Sequence, residues 1–291
     1  MATPLGVSQT KEMCDSADLI FAGRTEKFVI GPGPAATFGG KGNSTYVVKL
    51  EKIIKNSTGV PFSNVVTINS RQAKNVSLAA FEGNRAMFFA KSEKPLKNAK
   101  DQKSVILIPA DERHISLPLS PASDCPVVAG KPPVDIVAVE LVKVLETPAA
   151  KLNTIKLPLN QSFGKYRDNY NYSGTLDQAA VEYDHAADAL RSIPVKVAVP
   201  LLVKAVQNND MRCQLRAVHA LALLKNFEYV SAVEKVLMDP PKTVYFDVAQ
   251  LANHLNIEDR KYVPLLQRLA KSKDPRVKKA AKDSLAAMGQ P

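Results

Sequence analysis

The sequence predicts an α+β chain of more than one domain, a small antiparallel β-barrel followed by an α-helical solenoid. Three patterns lead to that expectation. From Val195 to Gly289 a helical-pair pattern is written at least twice. Val199-Pro200-Leu201-Leu202 returns as Val263-Pro264-Leu265-Leu266, Asp210 as Asp274, Ala217 as Ala281 and Leu221 as Leu285, each pair 64 residues apart. That interval is two periods of 32, with a degenerate middle copy from Tyr229 to Leu255. Self-similarity at such a period marks a stack of repeats that bury their apolar faces on neighbours. From Ala17 to Ile108 the pattern is instead short apolar runs between turn signals, as strands require. Pro109 to Pro133 lies between, with six prolines, Gly130 and no sustained period, and reads as a linker.

Taken in order, Met1 to Met13 is a tail. Asp18 to Ile30 reads as a long strand bent at Gly23, since glycine inside a strand marks a bulge or kink. Gly31 to Gly42 is a loop. Tyr46 to Ile54, Asn64 to Ser70, Arg85 to Ala90 and Ser104 to Ile108 supply four more strands, with a helical period only at Leu78 to Phe81. Five strands in so short a span suggest a barrel or a sandwich over residues 14–127. Residues 128–175 follow as linker, first helix and an excursion. In that stretch Val134, Val137, Ala138, Leu141, Val142 and Leu145 form one helix face, stopped at Thr147-Pro148. Tyr166, Tyr170 and Tyr172 punctuate the irregular run from Pro148 to Thr175, a candidate binding loop or an insertion packed along the repeats.

Cys14, Ala17-Asp-Leu-Ile-Phe-Ala-Gly23, Tyr46-Val-Val-Lys-Leu-Glu-Lys-Ile-Ile54 and Val65-Val-Thr-Ile68 resemble the netrin-like module. That module is a five-stranded OB-type barrel shared with the tissue inhibitors of metalloproteinases. The resemblance spans Cys14 to Cys125 and implies a disulfide between them, leaving Cys213 free and buried. Inhibitory members need their cysteine at the free N-terminus to chelate zinc. Thirteen residues precede Cys14, so inhibition is not implied.

Residues 176–291 make the helical half. Leu176 to Ile193 is one helix, ended by Pro194. Ala198, Leu201, Leu202, Ala205 and Val206 form the stripe of the first clear pair, and Gln207 to Asp210 its turn. Tyr262, Leu265, Leu266, Leu269 and Ala270 form the stripe of the last, with Val277, Ala280, Ala281, Leu285 and Met288 facing back. Asp274-Pro275 is an N-cap followed by proline at the first helical position, and Gly289 a terminator. Asp274-Pro-Arg-Val-Lys-Lys-Ala-Ala-Lys-Asp-Ser-Leu-Ala-Ala-Met-Gly289 resembles the second helix of HEAT-type repeats, with Asp210 to Leu224 a looser version. That family implies a protein-binding scaffold, with enzymes (certain bilin lyases and DNA glycosylases) a minority.

The composition is that of a globular protein, 45% hydrophobic and 23% charged, and no apolar run is long enough to span a membrane. A net charge of +11 (39 basic minus 28 acidic residues) favours acidic or polyanionic partners. Nine cations, Arg260, Lys261, Arg268, Lys271, Lys273, Arg276, Lys278, Lys279 and Lys282, surround one acid, Asp274, near the end of the chain. A capping repeat would mix signs, so this is the candidate surface for an acidic partner. Lys91, Lys94, Lys97, Lys100 and Lys103 recur every third residue, either a basic loop able to grip a nucleic-acid backbone or a solvated one. His185, His219 and His254 are spaced near the repeat period, but no cysteine or carboxylate completes a ligand set, so no metal is expected. Cys213 reads as a small core residue.

No phosphate-cradling glycine loop, nucleophile elbow, HExxH or paired acidic motif occurs, which points away from an enzyme and from any cofactor. The expected function is therefore a non-catalytic interaction protein with an acidic protein partner. A polyanion- or nucleic-acid-binding repeat protein is the alternative, opposed by the absence of Trp and of a carboxylate flanked by aromatic residues. Met1 to Met13 lacks the apolar core of a signal peptide. The protein is then extracytoplasmic, periplasmic or secreted, if a leader was removed, and cytoplasmic otherwise.

Overall fold

In the computed structural model the five expected strands close on themselves. The structure describes residues 9–30, 44–70, 83–93, 105–111, 116–128, 130–152, 178–255 and 260–289. The strands are β1 (Leu19–Ile30), β2 (Ser44–Asn56), β3 (Val65–Ser70), β4 (Arg85–Ser92) and β5 (Leu107–Pro109). They are ordered β1-β2-β3-β5-β4, and β4 pairs again with β1. Every neighbouring pair is antiparallel except β3 and β5, which run parallel through Ile68↔Leu107. A sixth short strand, β6 (Ser116–Pro118), lies on β4 at Ala86↔Pro118 and Phe88↔Ser116. It falls inside the proline-rich linker and, at three residues, is too short to show a period.

β1 bends where the sequence indicates. Its register against β2 shifts between Ala22 and Gly23, and two further shifts flank that one. A Cβ at Gly23 would lie 2.7 Å from the Lys49 carbonyl oxygen and 2.7 Å from Val48 Cγ1. The strands close to this distance only around glycine.

The first half of β1 is buried on both faces. Leu19, Ile20, Phe21 and Ala22 are fully enclosed, as are Ala86 to Ala90 on β4. Unbroken apolar runs of this kind mean that a second layer covers the outside of the sheet. Helices supply that layer. α1 (Thr10–Ser16) packs on β4, α2 (Pro133–Glu146) on β2, and α4 (Gln178–Arg191) on β6, on α2 and on the short α3 (Ala149–Leu152). α1 stands in what reads as a tail. It is tied down by Thr10, whose hydroxyl donates to the Ala189 carbonyl at 2.9 Å and whose N–H donates to Ser192 Oγ at 2.7 Å. Across the β1–β4 pair, Phe21 stacks on its partner Phe88 with ring centroids 5.4 Å apart.

The chain divides into two compact units, Met1–Ile193 and Pro194–Pro291. The helix that the sequence groups with the solenoid, α4, thus belongs to the first. Its Ala179, Ala180, Ala186, Ala187 and Ala189 are all buried, so it presents more than one face to neighbours.

The second unit is helical throughout its described residues. It comprises α5 (Val195–Val206), α6 (Met211–Leu223), α7 (Val230–Met238), α8 (Tyr245–His254), α9 (Val263–Leu269) and α10 (Pro275–Ala287). α6, α8 and α10 pack in succession; α5 lies on α6, α9 on α10, and α7 on both α6 and α9. Asp210 caps α6 by accepting from Arg212 N–H at 2.8 Å, and Asp274 caps α10 by accepting from the N–H groups of Arg276 and Val277 at 3.0 and 3.2 Å. Gly289, at φ +69°, follows the end of α10. Polar ties between helices join residues at a nearly constant separation. Arg212 donates to the Thr243 carbonyl and Arg216 to Asp247, 31 residues on in both cases. Arg268 reaches the Met238 carbonyl across 30 residues and Ser284 the Ala252 carbonyl across 32.

Two outcomes are expected. Gly23→Val should destabilise the barrel by about 2–3 kcal/mol, because the added atoms meet backbone rather than a flexible side chain; an unchanged denaturant midpoint would contradict the close approach. A fragment of residues 194–291 should be soluble and mostly helical by circular dichroism, and predominant strand or disorder would contradict its independence.

Candidate functional site

The basic cluster is assembled on one hairpin of helices. α10 buries Val277, Ala280, Ala281, Ser284 and Leu285, so the 3.6-residue period turns Lys278, Lys279 and Lys282 outward. α9 buries Leu265, Leu266 and Leu269 and exposes Arg268. Lys271 and Lys273 are exposed in the connection between the two helices, and Arg260 and Lys261 in the 3₁₀ turn that precedes α9.

These nine cations are not equivalent. Arg276 is held by Asp274, with Nη2 2.9 Å from Oδ2 and Nε 3.1 Å from Oδ1. Burial pushes the Asp274 carboxyl up, but hydrogen bonds from the Arg276 side chain and from the Val277 and Arg276 N–H groups outweigh it and hold the group below its ordinary value. That pair is a helix cap first and a surface charge second. Lys279 is paired with Asp283 one turn on. Arg268 donates from Nε to the Met238 carbonyl at the end of α7, at 2.7 Å. Lys261 places its ammonium 4.9 Å from the centroid of the Tyr262 ring. Lys271, Lys273, Lys278 and Lys282 remain, exposed and without a carboxylate partner among the described residues.

A second polar group was not foreseen. Arg216 on α6 and Asp247 on α8, both about 6% exposed, form a buried ion pair at 3.0 Å. On the same two helices the rings of His219 and His254 stand 5.0 Å apart, tilted by 33°. The repeat register does not make these histidines equivalent, yet the packing of α6 on α8 brings them together. The available signal was the i, i+3 spacing of Arg216 and His219, with Asp247 and His254 two turns apart on the partner helix. His185 lies on α4, in the first unit. No group of three or more His, Cys, Asp or Glu residues able to hold a metal occurs among the described residues.

Two of the three cysteines differ from expectation. Cys14, Cys125 and Cys213 are all free thiols and all buried, so the Cys14–Cys125 bridge implied by the netrin-like resemblance is not formed in the structure. The two thiols have different surroundings. Cys14 lies near Asp15, Lys55 and Lys11, and Cys125 near Glu140, Arg85 and Lys143. Burial pushes each thiol up to about 12. Cys125 sits at φ +49° in a polar knot. Its N–H donates to Ser123 Oγ at 3.0 Å, and Lys143 reaches both that oxygen and the fully enclosed Glu140, at 3.3 and 2.8 Å.

Glu182 on α4 is also enclosed, with Oε1 lacking a hydrogen-bond partner, and burial raises its carboxyl to about 8. Tyr166, Tyr170 and Tyr172 lie outside the described residues, as do Lys94, Lys97, Lys100 and Lys103. No helix among the described residues is long and apolar enough to cross a membrane. No family model, curated protein or solved structure matches the chain.

Two measurements follow from the buried groups. Thiol titration in denaturant should count three thiols, while the native protein should react slowly because the thiolate is scarce at neutral pH; a count of one would restore the bridge. Glu182 is raised on folding, so its contribution is fully present below about pH 4.5 and is lost as pH rises toward 8. Glu182→Gln should flatten that slope and stabilise the first unit at pH 8 by on the order of 2–4 kcal/mol. An unchanged pH profile would mean that the carboxyl is not desolvated.

Proposed function

We propose that this chain is a non-catalytic interaction protein, an OB-type barrel of netrin-like kind followed by a HEAT-like stack of helix pairs that carries the binding surface. The single observation behind this reading is the constant separation of the ties between helices, 30 to 32 residues in four instances, against a sequence period of 32. A stack in which each pair contacts only its neighbours presents one extended face of many side chains, the geometry of a docking scaffold. The strand order β1-β2-β3-β5-β4-β1 with parallel β3 and β5 supports the OB-type reading of the barrel. The segments behind the netrin-like resemblance lie on β1, β2 and β3, with Cys14 on α1, and an extracytoplasmic location is the reading that goes with that resemblance. A net charge of +11 makes an acidic protein the suitable partner.

Immobilised whole chain should retain from a native extract a protein that excess free 194–291 fragment competes off. Retention that only the barrel competes for, or no retention, would overturn the assignment of binding to the helices.

A further inference from the structure

Beyond the protein-interaction reading, we propose that Lys271, Lys273, Lys278 and Lys282 seat the phosphate backbone of double-helical nucleic acid, without regard to base sequence. The contrast within the basic cluster is the starting point. Arg276 and Lys279 already have carboxylates, and Arg268 is committed to the Met238 carbonyl, whereas these four ammonium groups are exposed with no carboxylate partner among the described residues. They follow one another through the turn before α10 and along its outer face. Lys278 and Lys282 are one turn apart on the outer face of α10, and Lys273 lies just before the cap of that helix. At a rise of about 1.5 Å per residue, Lys278 to Lys282 extends roughly 6 Å along α10, the axial length of about two phosphates of one strand.

The chemistry of the strip selects among anions. Lysine is a strongly hydrated point charge suited to phosphate, and the four residues of the strip offer no planar bidentate fork. On α10 the fork of Arg276 is occupied by Asp274, and on α9 Arg268 gives its Nε to the Met238 carbonyl. Single strands are held by aromatic stacking. Tyr262, next to this surface, is 8% exposed and spends its hydroxyl on the Phe227 carbonyl at 2.9 Å. Protein interfaces are centred on desolvated aromatic or arginine anchors, and none of the four lysines is one. Insertion into a lipid surface would require the apolar face of α10, which is packed on α8 and α9.

The test is fluorescence anisotropy with the whole chain and labelled duplexes of about 20 base pairs at several salt concentrations, where each phosphate contact adds about −0.9 to the slope of log K against log salt. The expected slope is about −3.6 for four contacts and is the same for two unrelated sequences. Lys278→Gln should reduce its magnitude by about one contact. Reversing all four lysines to Glu should weaken binding at least a hundredfold, while replacing all four by Arg should preserve it. Circular dichroism checks the fold, and the single Gln variants carry the test should the quadruple variant unfold. A slope unaffected by Lys278→Gln, tighter binding to the single strand, tighter binding to phosphatidylserine vesicles, or no binding at low salt would each overturn the proposal.

Discussion

The ion pair between Arg216 and Asp247 is the constraint on which the helical unit depends. Both side chains are enclosed, and each charge could be stabilised there only by the other and by nearby polar groups. Taking two charges out of water costs several kcal/mol per ion, and the attraction between them offsets this only in good geometry. The pair therefore adds little net stability, but it penalises any arrangement of α6 and α8 that separates the two groups. It fixes the register of one helix pair against the next. His219 and His254 meet as a consequence, because they lie further along the same two helices.

The first unit answers to a different constraint. Once β1 pairs with β2 on one edge and β4 on the other, the ring closes and no long edge remains open among the described strands. The apolar runs Leu19 to Ala22 and Ala86 to Ala90 then face outward as well as inward and have to be covered. α1, α2 and α4 do this, which is why a helix more than eighty residues after β4 belongs to the barrel unit and not to the second, helical unit. Buried polar groups gather where cover and barrel meet. Arg85 on β4 bonds to Glu51 and to the carbonyls of Ser120 and Ser123, anchoring the proline-rich segment against the strands.

The legible parts of this fold were those with a long period. The five strands lie within a few residues of their expected spans, and both helix caps, Asp210 and Asp274, were readable because the cap chemistry is local. Short elements were not legible. α1 has seven residues and β6 three, and both exist through tertiary contacts such as Thr10 to Ala189, which leave no pattern in their own sequence. The place of α4 in the first unit was not legible for a related reason, since an amphipathic stripe does not say which neighbour it buries against. The basic cluster was legible as a list of charges. Its division into neutralised and free cations was not, because Met238 and Asp283, which engage Arg268 and Lys279, only matter once the helices are placed.

The most direct test of the layered helical unit is a double-mutant cycle on Arg216→Met and Asp247→Leu in the whole chain, with denaturation followed by helical circular dichroism. Each single change leaves a charge enclosed without its partner and is expected to cost about 3–5 kcal/mol, while the double change should cost far less than the sum. Costs that simply add would show that the two residues do not meet and would contradict the packing of α6 on α8.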